Sequence, residues 1–337
     1  MDRPHRGWTV RVRMIGLRLL TCTLLTPAAL WGEPESVRQI LPLDVEFHDS
    51  AFKERLGHQL TLEKIAQGFE FIEGPLWRGD HLLFSDIPAN RIYQWSAQGV
   101  RTLIAPVHDP AILTGATGGS NGLIADANND VLLFIHGLRR IERLQGGQRA
   151  IVASHWQGKP FNSPNDGVLH SSGSVFFTDP PYGLPQQDDD PGKEIDVNGI
   201  YRLDRNGTVH QLAAMHRPNG IGLSPDEKTL YVASSDAKEK WWMKFPVQDD
   251  LSLGDGSIHF DARHIAKPGV PDGFDVDQAG NIWASGPGGV VVIAPDGGHL
   301  ATIATPEQPA NTTFNADESA LYLTARTGLY RLTLSNP

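Results

Sequence analysis

The sequence predicts an all-β protein, a six-bladed β-propeller with a central channel. A unit with a polar opening and two short strands recurs six times, at a period of roughly 40–55 residues that is typical of propeller blades. No stretch has the pattern of a long amphipathic helix. The clearest unit is Pro218–Ser235, in which a polar turn at Asn219 precedes the strands Ile221–Leu223 and Thr229–Ala233.

Each of the six units opens with a carboxylate or an amide side chain. The units begin at Glu73, Asn121, Asn165, Asn219, Asp272 and Asn311. Equivalent points of all blades face the central channel of a propeller. We therefore expect six oxygen-bearing side chains to converge on one axis.

The N-terminal residues 1–32 have the features of a secretory signal peptide. They contain five arginines, and the apolar run Leu19–Leu30 is too short to span a bilayer as a stable helix. A disordered leader or an interfacial anchor is the alternative interpretation. The sole cysteine of the chain, Cys22, falls in this segment, so the mature protein is expected to lack disulfides. Secretion without disulfides favours a bacterial periplasm as the location.

The rest of the chain divides into an N-terminal extension, residues 33–60, and the propeller, residues 61–337. A short helical turn is predicted at Ser50–Leu56. The last unit supplies only three strands, so we expect the strand Thr61–Gln67 to complete that blade and close the ring without a free edge. Two long connections, Val107–Gly119 and Pro180–Val197, are predicted at the channel mouth.

The charge of the chain argues against polyanionic partners. The formal net charge is −10, and it becomes −14 without the leader, which holds five Arg and one Asp. A strongly acidic surface disfavours nucleic acid and anionic membranes. It is compatible with a bound cation and a neutral substrate. The sequence does not define an oligomeric state.

Four of the opening residues form a candidate metal site, namely Glu73, Asn165, Asn219 and Asp272. One Glu, two Asn and one Asp offer hard oxygen donors with a net charge of −2, which suits Ca²⁺ and, less well, Mg²⁺ or another divalent cation. Zn²⁺ would favour His or Cys. Taken singly, such residues are ordinary turn formers. Their register across four blades favours a metal in the channel.

Several phrases resemble the senescence marker protein/gluconolactonase family, which includes regucalcin and, more distantly, diisopropyl fluorophosphatase. The resemblance covers about residues 61–335. The phrases are Phe71–Pro75, Ser163–Gly167, Phe177–Gly183, Arg217–Ile221 and Pro271–Gly273. It implies a six-bladed propeller with a divalent cation, usually Ca²⁺, at the bottom of the channel and a small-molecule lactone as substrate.

The resemblance assigns roles to individual positions. Glu73, Asn219 and Asp272 match direct metal ligands. Asn165 matches an Asn that binds metal in some members and substrate or metal-bound water in others. Asn121 matches an amide that lines the channel and is expected to contact substrate.

Three further positions are candidates near this site. His136 is expected to donate a hydrogen bond or relay a proton, Tyr182 to cover the substrate, and Asp166 to orient the region of Asn165. Bacterial members of the family often carry Glu before the His-Gly of blade two, where this chain has Ile135. That departure bears on substrate preference.

The expected function is a Ca²⁺-dependent, gluconolactonase-like hydrolase that opens a sugar lactone. The metal polarises the carbonyl and a carboxylate assists attack by water, with Asp272 favoured as base and Glu73 as the alternative. A non-catalytic, Ca²⁺-stabilised binding propeller and an organophosphatase of the same fold are the alternatives. A Ser-His-Asp hydrolase is disfavoured because Gly-x-Ser-x-Gly is absent from the sequence.

Overall fold

The structure is a computed structural model, and it describes residues 33–56, 60–112 and 118–334. The predicted leader, residues 1–32, lies outside the described residues, so its assignment and the periplasmic location stay predictions. No helix in the described ranges is long and apolar enough to cross a bilayer. The described part is all-β apart from one short α-helix and two 3₁₀ turns, Pro110–Ile112 and Gln187–Asp189.

The N-terminal extension is built into the propeller instead of preceding it. Its elements are β1 (Glu35–Leu41), β2 (Val45–Phe47) and α1 (Ser50–Leu56), and β3 (Thr61–Gln67) follows it. The predicted helical turn is therefore found, whereas β1 and β2 were not expected.

Blades one to three are four-stranded antiparallel sheets. Blade one contains β4 (Ile72–Arg78), β5 (His81–Asp86), β6 (Arg91–Ser96) and β7 (Gly99–Ile104); blade two contains β8 (Ser120–Ala125), β9 (Val131–Ile135), β10 (Arg140–Gln145) and β11 (Gln148–Ala153). A two-stranded hairpin follows, with β12 (His155–Trp156) and β13 (Lys159–Pro160). Blade three contains β14 (Gly167–Leu169), β15 (Val175–Asp179), β16 (Asn198–Leu203) and β17 (Val209–Met215).

Blades four to six complete the ring, and strands of the extension enlarge the last two. Blade four contains β18 (Pro218–Leu223), β19 (Thr229–Ser234), β20 (Trp241–Pro246) and β21 (Ser257–Asp261); blade five contains β22 (Phe274–Val276), β23 (Ile282–Gly286), β24 (Gly289–Ile293) and β25 (His299–Ile303). Blade six contains β26 (Asn311–Phe314), β27 (Ala320–Ala325) and β28 (Gly328–Thr333). Strand β2 pairs with β25, and β1 pairs with β3 at the outer edge of blade six.

The predicted closure of the ring is confirmed. Strand β3 pairs antiparallel with β28, so an N-terminal strand supplies the fourth strand of blade six. Glu63 on β3 is buried, and Nε of Arg331 on β28 donates to its Oε2 at 3.0 Å. The seam therefore combines a strand ladder with an ion pair.

The hydrophobic core is distributed between the blades. In the described residues, six clusters of buried apolar side chains occupy the six interfaces between neighbouring blades. The central strands are packed on both faces, which explains why β9 is a continuous apolar run, Val131–Ile135, with every residue buried. Helix α1 inserts Phe52 and Leu56 between blades five and six.

Four of the six polar openings, Glu73, Asn121, Asn219 and Asn311, are strand residues, so their interpretation as turns was wrong, whereas Asn165 and Asp272 stand two residues before β14 and β22. Asn219 lies within β18, and Glu73 lies within β4. The glycine after each residue allows close contact between blades: a Cβ on Gly220 would stand 2.4 Å from the carbonyl oxygen of Asp272 in the next blade. Close packing of neighbouring inner strands, more than a preference for turns, therefore explains why a glycine follows the polar residue in pairs such as Asn219-Gly220.

Candidate active site

A cavity of about 340 Å³ lies where the inner strands begin, at one end of the propeller axis. It is lined by Phe71, Glu73, Ile87, Asn121, His136, Asn165, Tyr182, Asn219, Ser235 and Asp272. All residues predicted for the metal, the base and the substrate are in this set. The structure thus brings together side chains from blades one to five.

Three amide side chains form a hydrogen-bonded row along one wall. Nδ2 of Asn121 donates to Oδ1 of Asn165, and Nδ2 of Asn165 donates to Oδ1 of Asn219 at 2.5 Å. Nδ2 of Asn219 then donates to Oγ of Ser235 at 2.8 Å. This row fixes the amides of three consecutive blades relative to one another.

Hydroxyl groups from the neighbouring blades hold the backbone beneath this row. Ser85 donates to the carbonyl oxygen of Asn121, and Thr178 donates to the carbonyl oxygen of Asn219, each at 2.7 Å. Both hydroxyls belong to the second strand of the preceding blade. The inner-strand backbone that presents the amides is therefore fixed by contacts between blades, which favours a preorganised site.

The imidazole of His136 lies beside the row. Its Nε2 is 3.3 Å from Nδ2 of Asn121 and 3.2 Å from Oδ1 of Asn165. Burial lowers the pKa of His136 to about 4, so the ring is neutral at pH 7. A neutral imidazole can hydrogen-bond a ligand but carries no charge toward it.

Ile135, which replaces a Glu found in many bacterial members, points away from the cavity. Its side chain is fully buried with Leu133 and Ile92 in the core between blades one and two. The departure therefore leaves the described lining of the cavity unchanged.

Two carboxylates, Glu73 and Asp272, face the cavity from blades one and five. Oε2 of Glu73 accepts the backbone N–H of Gly74 at 2.7 Å, whereas Oδ1 of Asp272 is buried without a hydrogen bond. Burial, and then the charge of Asp166, raises the pKa of Glu73 to about 8. Burial, and then the charge of Glu73, raises the pKa of Asp272 well above its usual value. Two buried acids that disfavour each other's ionisation are a site for a compensating cation.

Asp166 differs from its expected role. It does not hydrogen-bond Asn165; its Oδ2 accepts Nδ2 of Asn311 at 3.2 Å, and its Oδ1 accepts the N–H of Gly167 at 2.9 Å. Asp166 and Asn311 line a second cavity of about 180 Å³, bounded by the inner strands of all six blades. Asp166 therefore faces the second cavity, and its charge helps to raise the pKa of Glu73.

The oxygen-rich set fits a hard divalent cation. Glu73 and Asp272 bring two carboxylates, Asn165 and Asn219 bring amide oxygens, and one carboxylate oxygen is unpartnered. No group of three or more His, Cys, Asp and Glu side chains is arranged for a metal within the described ranges. A cation bound there would therefore need the amide oxygens as well as the two carboxylates.

The insertion in blade three carries Tyr182 and is anchored at its start. Oγ of Ser163 donates to the carbonyl oxygen of Pro180 at 2.5 Å and accepts the N–H of Gly183 at 2.8 Å. Further along, Asp188 pairs with Nη2 of Arg217 at 2.8 Å. Asp188, the first residue of the run Asp188–Asp190, is thus engaged in a contact between this insertion and blade four.

Phe71 and Ser235 line the cavity but were not among the predicted site residues. Phe71 directly precedes β4 and stands two residues before Glu73. Ser235 follows the end of β19, beside Asn219. A search for residues that flank the first two strands of each blade could have found both.

Comparisons with known proteins agree with this arrangement. Residues 71–327 match the family model of the SMP-30/gluconolactonase/LRE-like region. The chain is 37% identical to a gluconolactonase of Zymomonas mobilis, over 80% of each protein. It is 27% identical to a pentonolactonase of Haloferax volcanii, over 76% of this chain and 81% of that protein.

A solved structure supports the fold and the same relationship. The gluconolactonase from Xanthomonas campestris has a TM-score of 0.76 and 30% identity, covering 89% of this chain and 99% of that one. The six-bladed architecture and the resemblance inferred from the motifs are confirmed. The chain belongs to the SMP-30/gluconolactonase/LRE-like family.

Proposed function

We propose that this protein is a lactone hydrolase that opens a sugar lactone with the help of a divalent cation, for which Ca²⁺ is the first candidate. The observation that carries the proposal is a pair of carboxylates, buried Glu73 and Asp272 with its buried Oδ1, which face one cavity together with three amides. Relatives named gluconolactonase and pentonolactonase, at 37% and 27% identity over most of the chain, support the reaction class.

Glu73, Asn165, Asn219 and Asp272 are the residues that would hold the cation. They supply oxygen atoms only, and the two carboxylates balance a charge of +2. When bound, a divalent cation supplies Lewis-acid polarisation of the lactone carbonyl. A positive charge beside Asp272 and Glu73 also favours their ionised forms, opposing the effect of burial.

Asp272 is the residue we assign as general base. Its Oδ1 is an acceptor with no protein partner and lies at the cavity, so it is free to take a proton from an attacking water. The backbone of Asp272 is held by donation of its N–H to the carbonyl oxygen of Ser285 at 3.1 Å. Asn121 and His136 remain available to orient substrate hydroxyls on the opposite wall.

The cavity favours a small, neutral, hydroxyl-rich ring. Its volume of about 340 Å³ is near the lower end of ligand sites, which span about 300–1,000 Å³. Its described lining holds two carboxylates, three amides and two hydroxyls but no Lys or Arg. Such a lining accepts hydrogen bonds from substrate hydroxyls and offers no cationic side chain to a phosphate or carboxylate group.

Hydrolysis of glucono-1,5-lactone, followed by pH-stat and corrected for spontaneous opening, tests the proposal. We expect turnover that is lost on exhaustive chelation and restored by Ca²⁺. Full activity after confirmed metal removal contradicts the metal's role. If Ca²⁺ raises the melting temperature but no lactone in a panel of aldonolactones is hydrolysed, the binding-propeller alternative is correct.

A further inference from the structure

The hydroxyl of Tyr182 is a buried donor without a partner. Among buried side-chain polar atoms that line the cavity in the described part of the chain, two make no hydrogen bond: the Tyr182 hydroxyl and Oδ1 of Asp272. The hydroxyl lies near Ser235 and Asn219, but its geometry to neither is that of a hydrogen bond. Leaving a buried donor unsatisfied costs free energy, so a ligand atom is the expected partner.

The ring of Tyr182 is held on its outer face. The guanidinium of Arg217 lies 5.7 Å from the ring centroid. Arg217 is itself fixed, because Nη2 pairs with Asp188 at 2.8 Å and Nη1 donates to Oε1 of Gln187 at 2.7 Å. The stacking and the two side-chain bonds orient the phenol into the cavity.

The backbone on both sides of Tyr182 is also fixed. Gly183 packs so closely on the preceding blade that an added Cβ would stand 2.8 Å from Cβ of Ser163 and 2.9 Å from the carbonyl oxygen of His136. The N–H of Ser163 in turn donates to Asp179 at 2.7 Å. Tyr182 therefore meets the requirement for a preorganised donor, which needs no rearrangement when the substrate reacts.

The cavity's other polar atoms define which substrate atom fits this donor. Carboxylate and amide oxygens on the walls accept hydrogen bonds, so they match the hydroxyl groups of a sugar ring. The carbonyl oxygen of a lactone can only accept. Burial raises the pKa of Tyr182 to about 12, so the phenol keeps its proton at neutral pH.

We propose that the Tyr182 hydroxyl donates a hydrogen bond to the lactone carbonyl oxygen and stabilises the negative charge that develops there when water attacks. This inference rests on the proposed lactonase function and adds a catalytic residue to it. It requires no proton transfer from Tyr182. The hydrogen bond stabilises the transition state more than the ground state, because the negative charge on the carbonyl oxygen grows as water attacks.

The variant Tyr182→Phe removes the hydroxyl and keeps the ring over the cavity. We expect kcat to fall by about 10²–10³-fold, the range for loss of one oxyanion donor, and KM to rise by no more than about tenfold, the ground-state share of the hydrogen bond. The matched control is Tyr201→Phe. Tyr201 also has a buried hydroxyl without a hydrogen bond, but it lies in the core between blades two and three, so its variant should keep wild-type kcat.

Binding of two unreactive probes separates this inference from the proposed function. Gluconolactam keeps the ring carbonyl, whereas 1,5-anhydroglucitol lacks it, and calorimetry gives both affinities without turnover. In Tyr182→Phe the lactam should bind about tenfold more weakly and the anhydroglucitol equally well. A kcat within fivefold of wild type, or equal loss for both probes, overturns the role of Tyr182. Absence of lactone hydrolysis by wild-type enzyme instead refutes the proposed function. The probe affinities then still show whether the Tyr182 hydroxyl donates a hydrogen bond to the ring carbonyl.

Discussion

Gly74 of blade one lies directly against Asn121 of blade two: a Cβ on Gly74 would stand 2.0 Å from the carbonyl oxygen of Asn121. Gly74 also has a positive φ of 57°, and its N–H donates to the carboxylate of Glu73. Gly74 thus takes part in the contact between blades one and two and also holds the carboxylate of Glu73, a proposed metal ligand.

Substitution of Gly74 should lower the free energy of unfolding by more than its positive φ alone explains. Gly79 has a comparable φ of 72°, but a Cβ added to it would meet no atom within 4 Å, so Gly79→Ala should cost about 1–2 kcal/mol. Gly74→Ala should cost about 1–3 kcal/mol more, because the added methyl must displace the next blade. Urea unfolding of both variants measures the difference. Equal destabilisation would mean that the contact between blades is readily relaxed.

The closing seam of the ring gives a second matched pair. Arg331 and Arg38 both contact buried Glu63, but the side chain of Arg331 is 30% exposed and that of Arg38 is 81% exposed. Arg331→Met should cost about 3–5 kcal/mol, because it leaves a buried carboxylate poorly paired. Arg38→Met should cost about 0–1 kcal/mol, as for a surface pair.

Denaturant unfolding of the two variants at pH 7 checks this prediction, and the difference should shrink in acid. The hydrogen bond from Arg331 lowers the pKa of Glu63, so the pair's contribution is present above the usual Glu pKa and is lost as the pH falls through the lowered value. Similar costs for both variants at neutral pH would show that the ladder between β3 and β28 alone closes the ring.

The sequence was sufficient to predict the blades and most of the site because the relevant signals are local. Each blade has its polar residue in or just before the inner strand, with a glycine within two positions in blades one to five, and the period of the units aligns these residues around one axis. The strand Thr61–Gln67 could be predicted as the closing strand because blade six lacked a partner. Its pairing with β28 confirms that argument.

The unpredicted features depend on contacts that leave little local pattern. Strand β1 is mostly exposed and pairs through backbone groups at a sheet edge, so its side chains show no alternation. Asp166 meets Asn311 from 145 residues away. Neighbouring positions suggested Asn165 as its partner, but the two side chains line different cavities.

The paired carboxylates predict that the metal-free protein becomes less stable as the pH rises. Burial raises the folded-state pKa of Glu73 to about 8 and that of Asp272 well above normal, so the folded state binds more protons than the unfolded state. Stability from these groups is full below their unfolded pKa values and is lost as pH rises through the folded ones. In chelator, the melting temperature should fall between about pH 5.5 and 8.5.

Calcium should reverse this trend, because protons compete with it for the same oxygens. Its stabilisation, RT ln(1 + [L]/Kd), should grow as pH rises over the same interval. Glu73→Gln, which cannot ionise, is the control and should flatten the metal-free profile. Scanning calorimetry at fixed ionic strength makes the measurement. A metal-free melting temperature that rises with pH contradicts the assigned carboxylate environment.

The absence of basic residues from the described lining predicts selection against anionic lactones. Glucono-1,5-lactone and its 6-phosphate differ by a charged group, for which the described side chains of the cavity offer two carboxylates and no Lys or Arg, while the proposed cation is taken up by the lactone carbonyl. We expect kcat/KM for the phosphorylated lactone to be lower by at least about 10²-fold, the order expected when a charged group is left unpaired in a buried site. Parallel pH-stat assays at saturating Ca²⁺ test this. Comparable kcat/KM values would mean that a cationic side chain from outside the described lining reaches the substrate.

Two substitutions separate the role of metal ligand from that of base. Asn219→Ala removes a neutral oxygen donor and leaves both carboxylates in place, so Ca²⁺ binding should weaken and activity should partly return as Ca²⁺ is raised. Asp272→Asn keeps an oxygen of nearly the same shape but removes the charge and any basic function. If Asp272 is the base, excess Ca²⁺ should restore occupancy without restoring turnover.

The residual rate of Asp272→Asn at saturating Ca²⁺ is the deciding quantity. Loss of a general base lowers kcat by about 10²–10⁴-fold, whereas loss of a ligand alone is corrected by metal concentration. Calorimetric titration gives occupancy for each variant, and lactone hydrolysis across the same Ca²⁺ series gives the rate. Recovery to within a few-fold of wild type would assign Asp272 to the metal only. Glu73, the second buried carboxylate at the cavity, would then become the candidate base, because its pKa of about 8 lets it exchange protons near neutral pH.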